Sequence, residues 1–430
     1  MIALMIIIFI LGYIAIALEH PIKIDKAATA LITGVLVWTF FVFSGEDSLF
    51  IEEELLHHLS EISSILFFLI GAMTIVELID SHDGFSIITD KIVTRKKIKL
   101  LWIISILTFF FSAALDNLTT SIVMISLLRK LIEDKYDRWF FAGIVVVSAN
   151  AGGAWSPIGD ITTTMLWIGG QLTVSTIVTT LIIPSMVAIL VPLIILTFTI
   201  KGDVISPSYI EGEDYHKNPT TSFERNLIFF LGVAGLVFVP IFKTITHLPP
   251  FMGMMLSLGF LWVVTEIIHK NKNQNDKSEL SVLGVLRKID TASVLFFLGI
   301  LLAVSGLQSS GQLAIVASWL NECFSGDVYA INIVIGLLSS IVDNVPLVAG
   351  SMGMYEVTSV GDFAVDGKFW QFLAYCAGTG GSALIIGSAA GVAVMGLEKI
   401  DFVWYLRKIS VLALIGYFAG AGTYILVQYL

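Results

Sequence analysis

The sequence predicts an all-α polytopic membrane protein, folded as an inverted repeat with two re-entrant hairpins and two broken transmembrane helices. Three observations predict it. The 430 residues are 56% hydrophobic and only 13% charged, against about 25% charged in soluble proteins. Many apolar stretches reach the roughly 20 residues that a helical span needs. The dipeptide Asp-Asn occurs twice inside apolar runs, at Asp116-Asn117 and Asp343-Asn344, where an ionisable residue is costly and marks function.

Spans are expected at about 1–18, 25–43, 62–80, 139–168, 174–200, 227–245, 251–269, 290–308, 369–397 and 402–428. The run Met1 to Leu18 has no basic leader and no small-residue cleavage site, so it reads as a first span rather than a signal peptide. The polar connections are too short for a soluble domain. Cys323 and Cys376 have no motif spacing and read as free, inert thiols. The net charge of −10 lies largely in loops and gives no sign of a nucleic-acid partner.

Lys and Arg in the connections set the orientation. One side carries Arg95, Lys96, Lys97 and Lys99, then Arg129, Lys130, Lys135 and Arg138, then Lys270, Lys272, Lys277, Arg287 and Lys288, then Lys399. The other side carries segment 44–61, which has Glu46, Asp47, Glu52, Glu53 and Glu54 but no Lys or Arg. The basic side is expected to be cytoplasmic, in a bacterial-type inner membrane, with both termini outside. The stretches 46–60 and 309–324 read as interfacial helices on the outer side. His57 and His58 in the first read as solvated.

Two stretches do not fit as ordinary spans. Region 100–131 has basic residues at both flanks, so both ends lie on the cytoplasmic side. Two full crossings need about 40 residues plus a turn, more than this stretch holds. A re-entrant hairpin with Asp116-Asn117 near its tip meets both constraints. Region 328–355 has mainly acidic flanks and carries Asp343-Asn344 near its middle, so it reads as a hairpin dipping from outside. Irregular backbone at that depth is tolerated only inside protein or beside water.

The two halves match in sequence. Ile65-Leu-Phe-Phe-Leu69 pairs with Val294-Leu-Phe-Phe-Leu298, Asp116-Asn117 with Asp343-Asn344, Ala149-Asn-Ala-Gly-Gly153 with Ala377-Gly-Thr-Gly-Gly381, and Gly159 with Gly387. The first repeat starts with an inward span and the second with an outward one, which makes the repeat inverted. Residues 1–61 are expected to be N-terminal scaffold helices and 62–200 the first repeat, with hairpin 100–131 and broken span 139–168. Residues 201–289 are expected to be linker and further scaffold. Residues 290–430 form the second repeat, with hairpin 328–355 and broken span 369–397.

Each hairpin is followed by a poor helix former. Gly152-Gly153 with Pro157 and Gly159 interrupts the first span, and Gly380-Gly381 with Gly387 the second. Unwinding there releases carbonyls beside Asn150, Ser156, Asp160, Thr162 and Thr163. The second break supplies Thr379, Ser382 and Ser388, and no acid at the position matching Asp160. With Asp116, Asn117, Thr120, Asp343 and Asn344 the donors are all oxygens. No soft-ligand pattern is present, and no Arg or Lys is expected near the tips or the broken segments. Such a set suits hard alkali cations. Burial favours a protonated carboxylate and a bound cation favours the ionised one, so one acid can hold either a proton or a sodium ion. That competition suffices for cation/proton exchange.

At these residues the chain resembles the NhaD-type sodium/proton antiporters of the ion transporter superfamily. The resemblance rests on Ser112-Ala-Ala-Leu-Asp-Asn-Leu-Thr-Thr120, on Asn150-Ala-Gly-Gly-Ala-Trp-Ser-Pro-Ile-Gly-Asp160 with Thr162 and Thr163, on Val342-Asp-Asn-Val-Pro346, and on Gly380-Gly-Ser382 with Gly387-Ser388. It spans nearly the whole chain. It implies exchange of Na⁺, often Li⁺, for H⁺, no cofactor beyond the transported ions, contact with membrane lipid, and a scaffold that forms a homodimer. Asp116 and Asp160 are expected to hold the ion, with Asn117, Asn150 and Thr162 or Thr163 completing its shell; Asp343 and Asn344 would mirror that site or gate it. Related sodium/dicarboxylate symporters carry Ser-Asn-Thr at the hairpin tips. A carboxylate in place of that hydroxyl disfavours an anionic substrate. Two other readings are weighed. One is sodium-coupled carboxylate uptake. The other is an intramembrane aspartyl protease, disfavoured because Ser-Pro-Ile-Gly, not Gly-x-Gly, precedes Asp160.

Overall fold

The computed structural model describes residues 2–89, 92, 94–205 and 220–428. Every regular element is an α-helix, with no β-strand among the described residues. In chain order these are α1 (Ile2–Ala17), α2 (Glu19–Ile22), α3 (Lys26–Val42), α4 (Ser48–Ser81), α5 (Ser86–Thr89), α6 (Lys97–Leu115) and α7 (Asn117–Leu131). There follow α8 (Lys135–Gly153), α9 (Ile161–Ile168), α10 (Val174–Thr199), α11 (Ser222–Thr246), α12 (Pro250–Ile268), α13 (Gln274–Leu280) and α14 (Val282–Val285). The last are α15 (Thr291–Ser309), α16 (Gln312–Phe324), α17 (Val328–Leu338), α18 (Asn344–Met354), α19 (Lys368–Gly380), α20 (Ala389–Glu398), α21 (Phe402–Lys408) and α22 (Ser410–Gln428). Of the expected 201–289 linker, residues 206–219 lie outside the described residues.

Side chains set many of the boundaries. Asp47, Asp134, Thr173, Thr221, Asp290, Asp327 and Asp401 cap the starts of α4, α8, α10, α11, α15, α17 and α21 by accepting early backbone N–H groups. Among the described residues seven helices are long and apolar enough to cross a membrane: α4, α6, α10, α11, α12, α15 and α22. The chain is an integral membrane protein. Helices α11 and α12 turn Phe230, Ile241, Phe260 and Ile267 outward, the apolar exterior of a membrane helix pair.

Three expectations about elements are corrected. The stretch 46–60 is not a separate interfacial helix: it is the first part of α4, which runs unbroken for 34 residues. No Gly or Pro lies between Ser48 and Ile70 to stop it. At 1.5 Å per residue α4 is about 51 Å long, so its acidic start projects beyond an apolar layer of about 30 Å. His58 is buried against Ser309, 3.1 Å from its hydroxyl, while His57 is exposed. The span expected over 402–428 is divided at Ile409 into α21 and α22.

Helices α6 and α7 meet at Asp116 and pack on each other, as do α17 with α19 and α18 with α15. The arms of the second pair, α17 and α18, have 11 residues each, about 16 Å, too short to cross. The first arm, α6, has 19 residues and matches a span by length. Corresponding contacts recur in both halves. Ser112 donates to the Ala149 carbonyl at 2.5 Å and Ser339 to the Ala377 carbonyl at 2.9 Å. Gly152 lies against the Phe109 carbonyl and Gly380 against the Gly336 carbonyl; any Cβ would collide there. Small residues let the helices of each half approach this closely.

Candidate functional site

The two breaks face each other. The first covers residues 154–160 between α8 and α9, and the second 381–388 between α19 and α20. Asp160 is the N-cap of α9, with Oδ1 accepting the Thr162 N–H at 3.0 Å. Ser388 is the N-cap of α20, with Oγ accepting the Gly391 N–H at 3.2 Å. These two residues are equivalents in the sequence repeat. One offers a carboxylate and the other a hydroxyl.

Asp160 is 2% exposed and collects donors from both halves. The Asn117 amide donates to Oδ2 at 3.0 Å, and the Asn344 amide reaches Oδ1 and Oδ2 at 3.4 and 3.3 Å. Asn117 opens α7 and Asn344 opens α18, so each paired-helix tip delivers one amide to the same acid. Asn150, fully buried in α8, accepts from Asn117 at 3.1 Å and donates to Ser382 and Ser388 at 3.0 and 2.9 Å. The result is one polar cluster of Asn117, Asn150, Asp160, Asn344, Ser382 and Ser388, enclosed by apolar helices. The hydroxyls of Thr120 and Thr162 are also buried and make no hydrogen bond.

Other expected ligands are used differently. Asp116 is both the end of α6 and the N-cap of α7: Oδ1 accepts the Thr119 N–H at 2.7 Å and Oδ2 the Thr119 hydroxyl at 2.8 Å. Its φ of +126° and ψ of +162° lie in a region that glycine almost alone occupies. The tip therefore stores strain, and the side chain is engaged with its own helix. Thr163 donates to the Ser156 and Asp160 carbonyls at 2.7 and 2.9 Å, and Thr164 to the Pro157 carbonyl at 2.9 Å. These hydroxyls recapture the carbonyls that unwinding releases. Ser156 donates to the Ala113 carbonyl, tying the break to the α6 end. Thr379 donates to Tyr375 within α19.

Two lysines stand where none was expected. Lys26, the first residue of α3, places Nζ 3.3 Å from Asp343 Oδ2. Lys243 of α11 donates to the Trp167 carbonyl at the end of α9, at 2.9 Å, and lies 4.7 Å from the centre of the Trp167 ring. Both are far in sequence from the acid or helix they meet, so no local pattern could reveal them. A cavity of about 520 Å³ lies between α4, α9, α15, α18 and the α11–α12 turn, with His58, Glu61, Lys243 and Gln308 on its wall. It is on the side of the acidic 44–61 segment. Among the described residues no group of three or more His, Cys, Asp and Glu side chains forms a metal site. Asp160 accepts from the neutral amides of Asn117 and Asn344, beside Asn150.

The citrate transporter family model matches residues 5–366. Sodium/proton antiporter 1 of Arabidopsis thaliana is 46% identical over 429 residues, covering 99% of this chain and 72% of that protein. Sodium/proton antiporter 2 of the same plant is 44% identical and covers 99% of both chains. The Na⁺/H⁺ antiporter NhaD of Halomonas elongata is 31% identical, covering 98% of this chain and 87% of that one.

Proposed function

The chain belongs to the NhaD-type sodium/proton antiporter family of the ion transporter superfamily, and from that premise we propose how it exchanges Na⁺ for H⁺. The observation that carries the reading is the convergence of both tip asparagines on Asp160. An Asn side chain has a donor end and an acceptor end. With the N–H ends inward, Asn117 and Asn344 satisfy a bare carboxylate. Turned over, they offer carbonyl oxygens to a cation that Asp160 neutralises. A proton on Asp160 competes with that cation for the same charge, which couples the two fluxes. Thr120 and Thr162 supply further oxygen ligands, and Asn150, whose Oδ1 faces Asn117, holds that side chain N–H inward until a cation comes between the two oxygens. Asp116 acts as the strained cap that sets the position of Asn117, and as a second acid near the site. Li⁺, being a smaller hard cation, fits the same oxygen set.

The paired contacts at Ser112 and Ser339 and at Gly152 and Gly380 support an internal two-fold relation of the halves. Alternating access would follow from that relation, with α1, α3, α11 and α12 as the scaffold and the two tips and breaks as the moving part. The charge asymmetry of the loops supports a cytoplasmic basic face, and the outward apolar faces of α11 and α12 leave area for a homodimer.

The test is Na⁺-induced proton flux in proteoliposomes of the full chain. Wild type should exchange, and Asp160→Asn should abolish exchange while the protein still accumulates and elutes as a folded species. Normal flux in Asp160→Asn would remove the carboxylate from the mechanism. A second reading, sodium-coupled carboxylate uptake, is favoured only by the citrate transporter family match. Na⁺-driven uptake of labelled citrate in the same vesicles would establish it.

A further inference from the structure

We propose that Lys26 is the protein's own cation for Asp343: an ammonium that holds this carboxylate in the arrangement seen and competes there with the transported alkali cation. The proposal rests on the exchange reading above and adds to it a specific displaced group.

Lys26 is held where it is by close helix packing. Gly34 of α3 lies against the Gly299 carbonyl of α15, and Gly299 against Ala30. The start of α3 is therefore fixed to α15. From there the ammonium reaches Asp343 Oδ2 at 3.3 Å and lies 4.4 Å from the centre of the Phe296 ring of α15. The ring face attracts the cation and excludes water from one side of it. Asp343 keeps its other oxygen on the Val345 N–H at 3.2 Å. The next residue, Asn344, donates to Asp160. One dipeptide thus carries the ammonium on its first residue and the buried acid on its second. An ion pair of this exposure adds little to stability, so stability alone does not account for a lysine aimed at an acid beside the site.

The surroundings also give the amine somewhere to go. A small cavity of about 50 Å³ adjoins the pair, lined by Tyr13, Glu19, Lys26, Asp343 and Val392 among others. That is room for a few waters or a partly hydrated ion. The Tyr13 hydroxyl is buried and has no hydrogen-bond partner. The Glu19 carboxylate already accepts the backbone N–H of Lys26 at 3.3 Å. When a cation takes Asp343, the ammonium has Glu19 within reach on the same side. Besides Lys26, the charged or titratable groups facing this place are Tyr13 of α1, Glu19 of α2 and, through Asn344, Asp160. A moving tip would leave α3 behind, so the pair separates in the other half of the cycle.

The experiment titrates Na⁺ against proton flux in proteoliposomes. Lys26→Gln should lower half-saturating Na⁺ about two- to fivefold, the scale of one partly exposed charge pair, and lower the maximal rate because the cation leaves more slowly. Lys26→Arg should keep the wild-type half-saturation. In the Asp343→Asn background, Lys26→Gln should change nothing further, and this charge-balanced pair serves if Lys26→Gln alone does not accumulate. The proposal is overturned if Lys26→Gln leaves half-saturation unchanged or raises it, if Lys26→Arg behaves like Lys26→Gln, or if the effect persists without Asp343. If wild type shows no Na⁺-dependent flux, the exchange reading fails. Na⁺-dependent thermal stabilisation of the solubilised protein then decides the Lys26 proposal: a lower Na⁺ requirement in Lys26→Gln supports it, and its absence overturns it.

Discussion

Asn344 donates its side-chain amide to both carboxylate oxygens of Asp160, at 3.4 and 3.3 Å. The contact joins the tip of the second paired helices to the break of the first half. Asn117 does the same from the first tip, at 3.0 Å. Removing either amide leaves a buried carboxylate short of one donor, which costs about 1–3 kcal/mol.

The lost donor raises the affinity of Asp160 for proton and cation alike, but Asn344→Ala also removes a carbonyl ligand of the cation alone, so half-saturating Na⁺ should rise by about tenfold, each factor of ten being about 1.4 kcal/mol. Asn117→Ala should do at least as much, because it also releases Asn150. The double variant should fall short of the sum, since both act on one acid. Na⁺ titrations of flux in the three variants check this. Additive effects would show that the two tips do not share Asp160.

Asp116 separates the roles of charge and cap. Asn is as good an N-cap as Asp, so Asp116→Asn should keep α7 and its Thr119 contacts while removing the negative charge. Asp116→Ala loses the cap, about 1 kcal/mol, and keeps the strained backbone. If Asp116 serves chiefly to position Asn117, Asp116→Asn retains most exchange and Asp116→Ala loses both exchange and thermal stability. Equal loss of exchange in both variants, with Asp116→Asn folded normally, would make the charge itself essential.

Much of this was legible in the sequence, and the limits are physical. The two Asp-Asn dipeptides, the glycine breaks and Asp160 stand out because polar or flexible residues are rare in apolar helices. Their convergence follows from the matched order of the halves. The division of labour inside Asp116-Asn117 was not legible. A carboxylate at a helix start can cap its own backbone or face a site, and composition does not choose between them. Nor does sequence show that Thr163 and Thr164 recapture the carbonyls of the break. The pairing of Lys26 with Asp343 joins residues 317 apart, and those of Arg129 and Arg138 with the buried Glu398, each at 2.6 Å, join residues 269 and 260 apart. Such contacts exist only once the helices are packed.

On the basic face a buried histidine pair couples the ends of α4 and α12. His82 Nδ1 donates to the Leu78 carbonyl at 2.7 Å, so its Nε2 is the acceptor for His269 Nε2 at 3.2 Å. The rings are stacked with centroids 5.0 Å apart. Burial pushes the His82 imidazole from 6.5 down to about 4, with the Leu78 hydrogen bond opposing the shift. A histidine held below its unfolded value binds fewer protons folded than unfolded. Its contribution to stability is whole above about pH 6.5 and is lost as pH falls towards 4. The melting temperature of the solubilised protein should decline across that window. His82→Gln removes the titrating group, so its decline should be shallower by up to one proton, about 1.4 kcal/mol per pH unit. Parallel curves for the two proteins between pH 6.5 and 4 would show that His82 does not titrate there.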